Sequence, residues 1–486
     1  MILSNKLKKL INIKRVFREP ALLFTASRYL GYAMVMVRGI LLAKYLGPAL
    51  FGTWGFLTLM EQYLSYSNFG LQYAVTVKLA TQDAESRTAR SRIISAAFLT
   101  SLLLTTLLAI AGVWVQIGHV ELFTKYDINQ YAILLVLWVS LVNLQHVLIN
   151  IYRVYNQLLR IAISELLTAF VPLVVVFLFR EESLITASLA AMAGSCLLSI
   201  LIFLYKPPFE WTVKFSKDIV WGLFGVGVPL LIYNLSYNMI TMVGRTILSA
   251  YYSKEQMGYY SFASSITSAT LLGFRAILWL AFPMVLYRTR DEVASQEAVK
   301  TVRKVNDLFN TSVFLSVFAV IIASPLFYLL LPQYKSEDKI LAILLLTQAM
   351  LLISWGWNSM AIARKRQNQV ALISVAATVC VTLIGLWVSS MKMPAPWVAT
   401  AVCVGSFIYT LLQIYLGHRV IQPDGGFWKF FATVLPFGSI IAVVVAYIGI
   451  MLGFTFWSTS LALLIYIFAN RGKIQMLWRY AHKKFG

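Results

Sequence analysis

Charge is what this chain has least of. Asp, Glu, Lys and Arg make up 12% of its 486 residues, about half the share usual in soluble domains, while 59% of the residues are hydrophobic and mean hydropathy is +0.76. A soluble globular fold is excluded, and the composition is that of an all-α polytopic membrane protein. Cysteine is nearly absent: Cys196, Cys380 and Cys403 each fall inside an apolar tract, so no disulfide framework and no CxxC or Cys/His metal site can be read. The four histidines stand apart, with no HExxH, Walker A or serine-nucleophile context, so catalysis and direct ATP use have no basis in the sequence and no cofactor is expected. Long polar tracts are missing too. At about 20 residues per span, fourteen apolar tracts leave room only for loops and tails.

The tracts start near Ala21, Phe51, Ile93, Ile128, Ile161, Leu184, Ile219, Met257, Leu308, Ile340, Val370, Trp397, Phe430 and Trp457. The net charge of +22 is a topology signal: of the 41 Lys and Arg, 30 lie in the two tails and the even-numbered connections and 7 in the odd-numbered ones. By the positive-inside rule both ends are expected in the cytoplasm, and nucleic acid is not expected as a partner. Residues 1–20, with Lys6, Lys8, Lys9, Lys14, Arg15 and Arg18 among Leu and Ile, read as a basic segment on the anionic inner leaflet rather than a cleaved signal. Residues 471–486 read as a basic cytoplasmic tail. The outward connections, near Gly118–Asp127 and Pro332–Lys339, are too short for an outer catalytic region.

An internal repeat is visible. Arg38-Gly39-Ile40-Leu41-Leu42-Ala43, leading to Phe51-Gly52-Thr53-Trp54, is echoed by Arg245-Thr246-Ile247-Leu248-Ser249-Ala250, leading to Met257-Gly258-Tyr259-Tyr260. Arg153, Asn156 and Gln157 are echoed more weakly by Arg364, Gln367 and Asn368. Two parallel copies of six helices are therefore expected, over 21–205 and 219–417. They are joined by a cytoplasmic linker at 206–218 and followed by helices thirteen and fourteen over 418–470.

Ionisable groups at membrane depth are expensive and mark sites or pairs. Arg28 and Arg38 in span one, Arg245 in span seven and Arg275 in span eight stand against a single noted carboxylate, Glu61 in span two. The expected excess is three positive charges, an attractive setting for pyrophosphate or acidic sugars, since the guanidinium fork binds phosphate oxygens bidentately. Snorkelling is the alternative for Arg28, Arg38 and Arg245, and an interhelical ion pair the alternative for Arg275 and Glu61. Polar stripes at helical spacing add sugar-contacting candidates: Asn234, Asn238, Thr241 and Arg245; Glu61, Ser65, Asn68 and Gln72; Asn143, His146, Asn150 and Arg153. Such groups also glue membrane helices together. Trp357 and Asn358, beside Trp355, are further candidates for sugar stacking, with interior packing as the alternative. Glu61 and His146 are the candidates for proton coupling. Gly222, Gly225, Gly227 and Pro229, with Pro283, are candidate bends.

The run from Arg38 through Leu46-Gly47-Pro48, Phe51-Gly52 and Asn68-Phe69-Gly70-Leu71 resembles the amino-terminal signature of the polysaccharide transporter family, the Wzx-type flippases; Gly258-Tyr259-Tyr260 and Phe282-Pro283 resemble its second half. The resemblance implies a MATE-like fold, with two six-helix lobes facing each other across a central cavity and two extra helices. It also implies a flippase of the bacterial inner membrane that moves an undecaprenyl-pyrophosphate-linked oligosaccharide (an O-antigen, capsule or exopolysaccharide unit) by alternating access. Membrane lipids and other polysaccharide-assembly proteins are the partners it implies, and a proton or sodium gradient the coupling it leaves open. A peptidoglycan-precursor flippase or a multidrug exporter of similar fold is the nearest alternative, and a membrane glycan polymerase or acyltransferase the alternative from another class.

Overall fold

The computed structural model describes residues 20–81, 86–118, 124–212, 216–289, 296–364, 366–421 and 426–485, and every regular element among them is helical. The reason is solvent: hydrocarbon offers no partner to backbone N–H and C=O groups, so each span must satisfy its own. The helices are α1 Pro20–Leu64, α2 Leu71–Thr81, α3 Arg87–Ile117, α4 Ile128–Val154, α5 Leu158–Leu178, α6 Glu181–Leu204, α7 Lys217–Tyr251, α8 Lys254–Thr289, α9 Gln296–Leu330, α10 Asp338–Ile353, α11 Trp355–Ala363, α12 Gln367–Ser390, α13 Ala395–Ile421, α14 Gly426–Val434, α15 Phe437–Leu452, α16 Thr455–Ala469 and α17 Arg471–Phe485. The basic amino-terminal segment falls, up to residue 19, outside the described residues.

Among the described residues, ten helical stretches are long and apolar enough to cross a membrane, and α14–α15, bent by 59°, is an eleventh. The first stretch holds two spans, because Gly47 (φ 66°, ψ 173°) breaks α1 and Pro48 restarts it. With α8 and the short apolar α16, the elements correspond to the fourteen expected tracts, and the chain is a multi-pass helical membrane protein.

Three spans are broken where continuous helices were expected: two, ten and thirteen, the last between α14 and α15. Span two unwinds into a 3-10 turn at Ser65–Asn68 and a left-handed Phe69-Gly70 pair before α2 begins. The cause is local: the Asn68 side-chain oxygen accepts the Gly70 N–H at 3.0 Å, offering the backbone an alternative to the helix. Glu61, Ser65, Asn68 and Gln72 therefore do not form one stripe, which corrects that expectation. Span ten breaks at Ser354, separating α10 from α11.

The chain packs as two compact units, one of Met1–Leu46 with Phe56–Ile232, the other of Gly47–Gly55 with Tyr233–Gly486. The units follow helix packing rather than the repeat boundary, so the first half of α7 packs with the first unit and α14–α17 with the second. In the first unit, α4 is the central helix, packed by α2, α3 and α6. Its Leu148 and Ile151 meet Ala74, Ile94, Phe203 and Leu223 in the core, while Gln145 donates to Ser164 at 3.1 Å and Ser199 at 2.9 Å, a buried polar tie between α4, α5 and α6. Gly227 of α7 lies so close to the Gly70 turn that a Cβ on Gly70 would sit 2.2 Å from the Gly227 carbonyl oxygen. This glycine is explained by close approach, with no need of a bend.

In the second unit α10 is central, and nearly every one of its residues is buried. Spans four and ten are equivalent in the sequence repeat, so each copy buries its corresponding helix. The repeated glycines touch: a Cβ on Gly52 would lie 1.9 Å from the Lys254 carbonyl oxygen, and one on Gly258 would lie 1.9 Å from that of Pro48. The segment expected as a basic tail is helical, and its Lys473 is held by Asp307 at 2.8 Å, tying α17 to α9. Large apolar side chains such as Leu103, Leu329 and Trp457 remain exposed, as lipid-facing positions require.

Candidate functional site

The first unit contains a cavity of about 340 Å³ lined by α1, α4, α5 and α6. Arg28 and Arg38 of α1 enter it ten residues apart, close enough to the three-turn repeat to share a helix face. From the other helices come Gln145 and His146, Glu165 and Thr168, and Ser195 and Cys196, with Trp138 and Met192 as apolar wall.

Arg28 donates from Nε to Glu165 Oε2 at 3.1 Å, both side chains being about one-fifth exposed, and its guanidinium also lies over the Phe24 ring at 5.2 Å. Arg38 differs: its Nε is buried and has no hydrogen-bond partner among the described residues. A buried donor left unsatisfied costs about 1–3 kcal/mol. Such a donor is retained at a loss to stability unless something else binds it.

His146 sits one turn before Asn150, whose Oδ1 accepts from Thr76 at 3.2 Å and from Arg153 Nη1 at 3.5 Å, and whose amide donates to the His146 carbonyl at 2.8 Å. Arg153 lies within electrostatic reach of Arg28 and Glu165, and Glu61 within that of Cys196. The cavity thus adjoins a network of charges of both signs. Glu165 adds a carboxylate to the one that the sequence sets against the arginines, and Arg28 and Arg38 are the two of those four arginines that line this cavity. Glu165 lies one turn from the expected start of span five, where a carboxylate reads as an interface residue.

Other candidates fall elsewhere. Asn68 and Asn143 are fully buried and bonded to each other at 3.3 Å, with the Asn143 amide also on Ser67 at 3.2 Å. They secure the span-two turn and offer nothing to a sugar, a correction whose reason is burial. Gln72 is half-buried beside Tyr73. In the second unit Trp357 is 1% exposed and packs on Phe430 at 5.1 Å, so interior packing replaces sugar stacking for it. Asn358 donates to the hydroxyls of Tyr233 and Tyr409 at 3.3 Å each, and the Tyr409 ring lies 5.7 Å from that of Tyr237. These tyrosines were missed by sequence reasoning, though Tyr233 and Tyr237 flank Asn234 and Asn238 on one helix. Asn234 is half-buried and Asn238 exposed, and Thr241 donates to the Asn238 carbonyl. Arg245 lies within electrostatic reach of the buried Tyr260. Arg275 belongs to α8, and its side chain lies outside the described residues.

The Arg28–Glu165 pair leads to an expected result. Glu165→Gln removes a carboxylate that holds Arg28, so binding of inorganic pyrophosphate, used as an anionic probe, should tighten by about tenfold, the worth of one charged hydrogen bond. Microscale thermophoresis in detergent checks this. Unchanged or weaker binding would separate Arg28 from the ligand.

Comparison with known proteins agrees with this architecture. The solved structure described as the lipid II flippase MurJ in an inward closed conformation is similar over 93% of this chain and 100% of its own, with a TM-score of 0.69 and 16% identity. An inward-facing multidrug resistance MATE transporter of the MOP superfamily is similar over 82% of this chain and 100% of its own, with a TM-score of 0.67 and 14% identity. A MOP superfamily transporter from Pyrococcus furiosus, described by the reverse polarity of its binding pocket, is similar over 85% and 97%, with a TM-score of 0.59 and 13% identity. No curated protein matches the chain by sequence. These likenesses give a MurJ- and MATE-like fold. The model of the family described as polysaccharide biosynthesis protein matches residues 18–286, more than half of the sequence, and the chain belongs to that family.

Proposed function

We propose that this protein is a flippase that carries an undecaprenyl-pyrophosphate-linked oligosaccharide, the repeat unit of an O-antigen, capsule or exopolysaccharide, from the inner to the outer leaflet by alternating access. The observation that carries the reading is the Arg38 guanidinium, whose Nε is buried without a hydrogen-bond partner among the described residues, in a cavity it shares with Arg28. An anionic phosphate supplies the missing acceptor, and the family membership supports a polysaccharide precursor as its bearer. Asn234, Asn238, Thr241 and Asn358, with the tyrosines beside them, are the proposed sugar contacts of the second unit. Glu61 and His146 remain the proposed coupling groups for a proton or sodium gradient, and Glu165 joins them as the counter-charge of Arg28. No catalytic role is assigned to any residue. The bias of 30 basic residues against 7 supports an inner-membrane protein with both ends in the cytoplasm. Membrane lipids and other polysaccharide-assembly proteins are its proposed partners.

The second reading is a peptidoglycan-precursor flippase, favoured by the similarity to the lipid II flippase fold. A multidrug exporter of cationic compounds fits the paired arginines less well. Proteoliposomes holding the purified protein and a fluorescent undecaprenyl-pyrophosphate oligosaccharide test the proposal. Protein-dependent exposure of the label to an outside quencher is expected. Exposure of labelled lipid II alone would favour the second reading, and exposure of neither would remove both.

A further inference from the structure

The second unit has another cavity, of about 560 Å³, which the transport reading does not use. It lies between the end of α9, the 3-10 turn Pro332–Glu337, the first residue of α10 and the turn that joins α15 to α16. Three features define it. Lys335 is exposed and has no ion-pair partner among the described residues. Asp338, three residues later, accepts one long hydrogen bond of 3.4 Å from the Thr455 hydroxyl and lies within electrostatic reach of the Tyr328 hydroxyl. The wall between them is apolar, from Pro325 and Leu329, and Trp457, 74% exposed, stands at the rim. The α15–α16 turn depends on Gly453, whose φ of 90° no side chain adopts easily, and this turn sets Thr455 against Asp338.

We propose that this cavity binds the head group of a zwitterionic phospholipid carrying a primary ammonium, with Lys335 on the phosphate and Asp338 with Thr455 on the ammonium. The argument is charge complementarity. Lys335 and Asp338 line one cavity as a cation and an anion, the pairing of charges that a phosphate and an amine on one head group present, whereas Asp338 opposes a pyrophosphate or a phosphatidylglycerol head group that has no positive end. The placement agrees: the groups sit at the ends of membrane spans, where lipid head groups lie, and tryptophan favours that interface. The apolar wall takes the first methylenes of the acyl chains. A trimethylammonium cannot donate hydrogen bonds to Asp338, so phosphatidylcholine is a poorer fit.

Delipidated full-length protein in detergent, titrated with short-chain phosphatidylethanolamine, phosphatidylglycerol or phosphatidylcholine, tests this by thermal shift and native mass spectrometry. Phosphatidylethanolamine is expected to bind most tightly, and Asp338→Asn and Lys335→Ala are each expected to weaken it by about tenfold, the worth of one charge-assisted hydrogen bond. Asp338→Asn should also abolish the preference over phosphatidylglycerol. An arm that needs no variant uses N-acylated phosphatidylethanolamine on the wild-type protein: with its ammonium lost, it should not compete for the cavity. Equal binding of the three lipids, competition by the N-acylated lipid, or unchanged binding in both variants overturns the proposal. These outcomes are independent of Arg28, Arg38 and the transported substrate.

Discussion

Replacing Arg38 with alanine is expected to abolish glycan export while leaving the folded protein as stable as the wild type, or more so. The two halves of this result have different causes. Arg38 Nε is buried with no hydrogen-bond partner among the described residues, so truncation removes an unsatisfied donor rather than a native bond. If a substrate phosphate is what satisfies it, its loss removes one partner of a desolvated charge pair. That corresponds to about 2–5 kcal/mol, or a fall of about thirty-fold or more in transport. Arg28→Ala is expected to behave differently, because it removes the 3.1 Å hydrogen-bonded partner of the part-buried Glu165, so that both stability and export fall. Export in a strain lacking its own flippase, read with the melting temperature of each purified variant, separates the two. A melting temperature of Arg38→Ala several degrees below wild type would make Arg38 a structural residue.

Gly258→Val is expected to prevent the second unit from packing. The Gly258 Cα faces the Pro48 carbonyl oxygen where a Cβ would lie only 1.9 Å away, and Gly52 faces Lys254 in the same manner. Because the obstacle on each side is backbone, no rotamer change relieves it, and the α8 start and the Pro48–Gly55 segment must separate. The effect lies at or beyond the upper end of the about 1–3 kcal/mol that overpacking brings. Fluorescence-detected size exclusion should show loss of the monodisperse peak, with Gly52→Val behaving alike. Gly225→Ala, where no atom lies within 4 Å of the added Cβ, is the control and should leave the peak intact. An intact peak in Gly258→Val would mean that the two segments can part without loss of the fold.

The glycine pair shows why much of the fold was legible in the sequence. Gly52 and Gly258 stood out as matched positions of a repeat, and the repeat is a record of geometry: equivalent segments of two copies meet at their backbones. Spans were legible because hydrocarbon demands long apolar helices. Breaks within spans were not, because they arise from side chains bonding to nearby backbone, as Asn68 does to Gly70, and such competition leaves hydropathy unchanged. The same gap explains the site. Arg28 and Arg38 are conspicuous as charges in an apolar tract, whereas Glu165, near the start of its own tract, escapes notice in the sequence, and only the fold of α5 sets it against Arg28. Trp357 and Asn143 looked available because helical spacing gives a residue's direction but not what covers it; Phe430 covers the first and Asn68 the second.

The central claim is that the arginines of the first unit bind the phosphate end of a lipid-linked glycan. Its most direct test is the melting temperature of the detergent-purified protein with a short-chain polyprenyl-pyrophosphate oligosaccharide, set beside a lipophilic cation and beside the Arg38→Ala variant. A ligand that binds only the folded state raises the melting temperature in proportion to its occupancy. Stabilisation by the glycolipid, absent with the cation and lost in Arg38→Ala, is the predicted result. Stabilisation by the cation with none from the glycolipid would contradict the account and make the chain an exporter of cationic compounds.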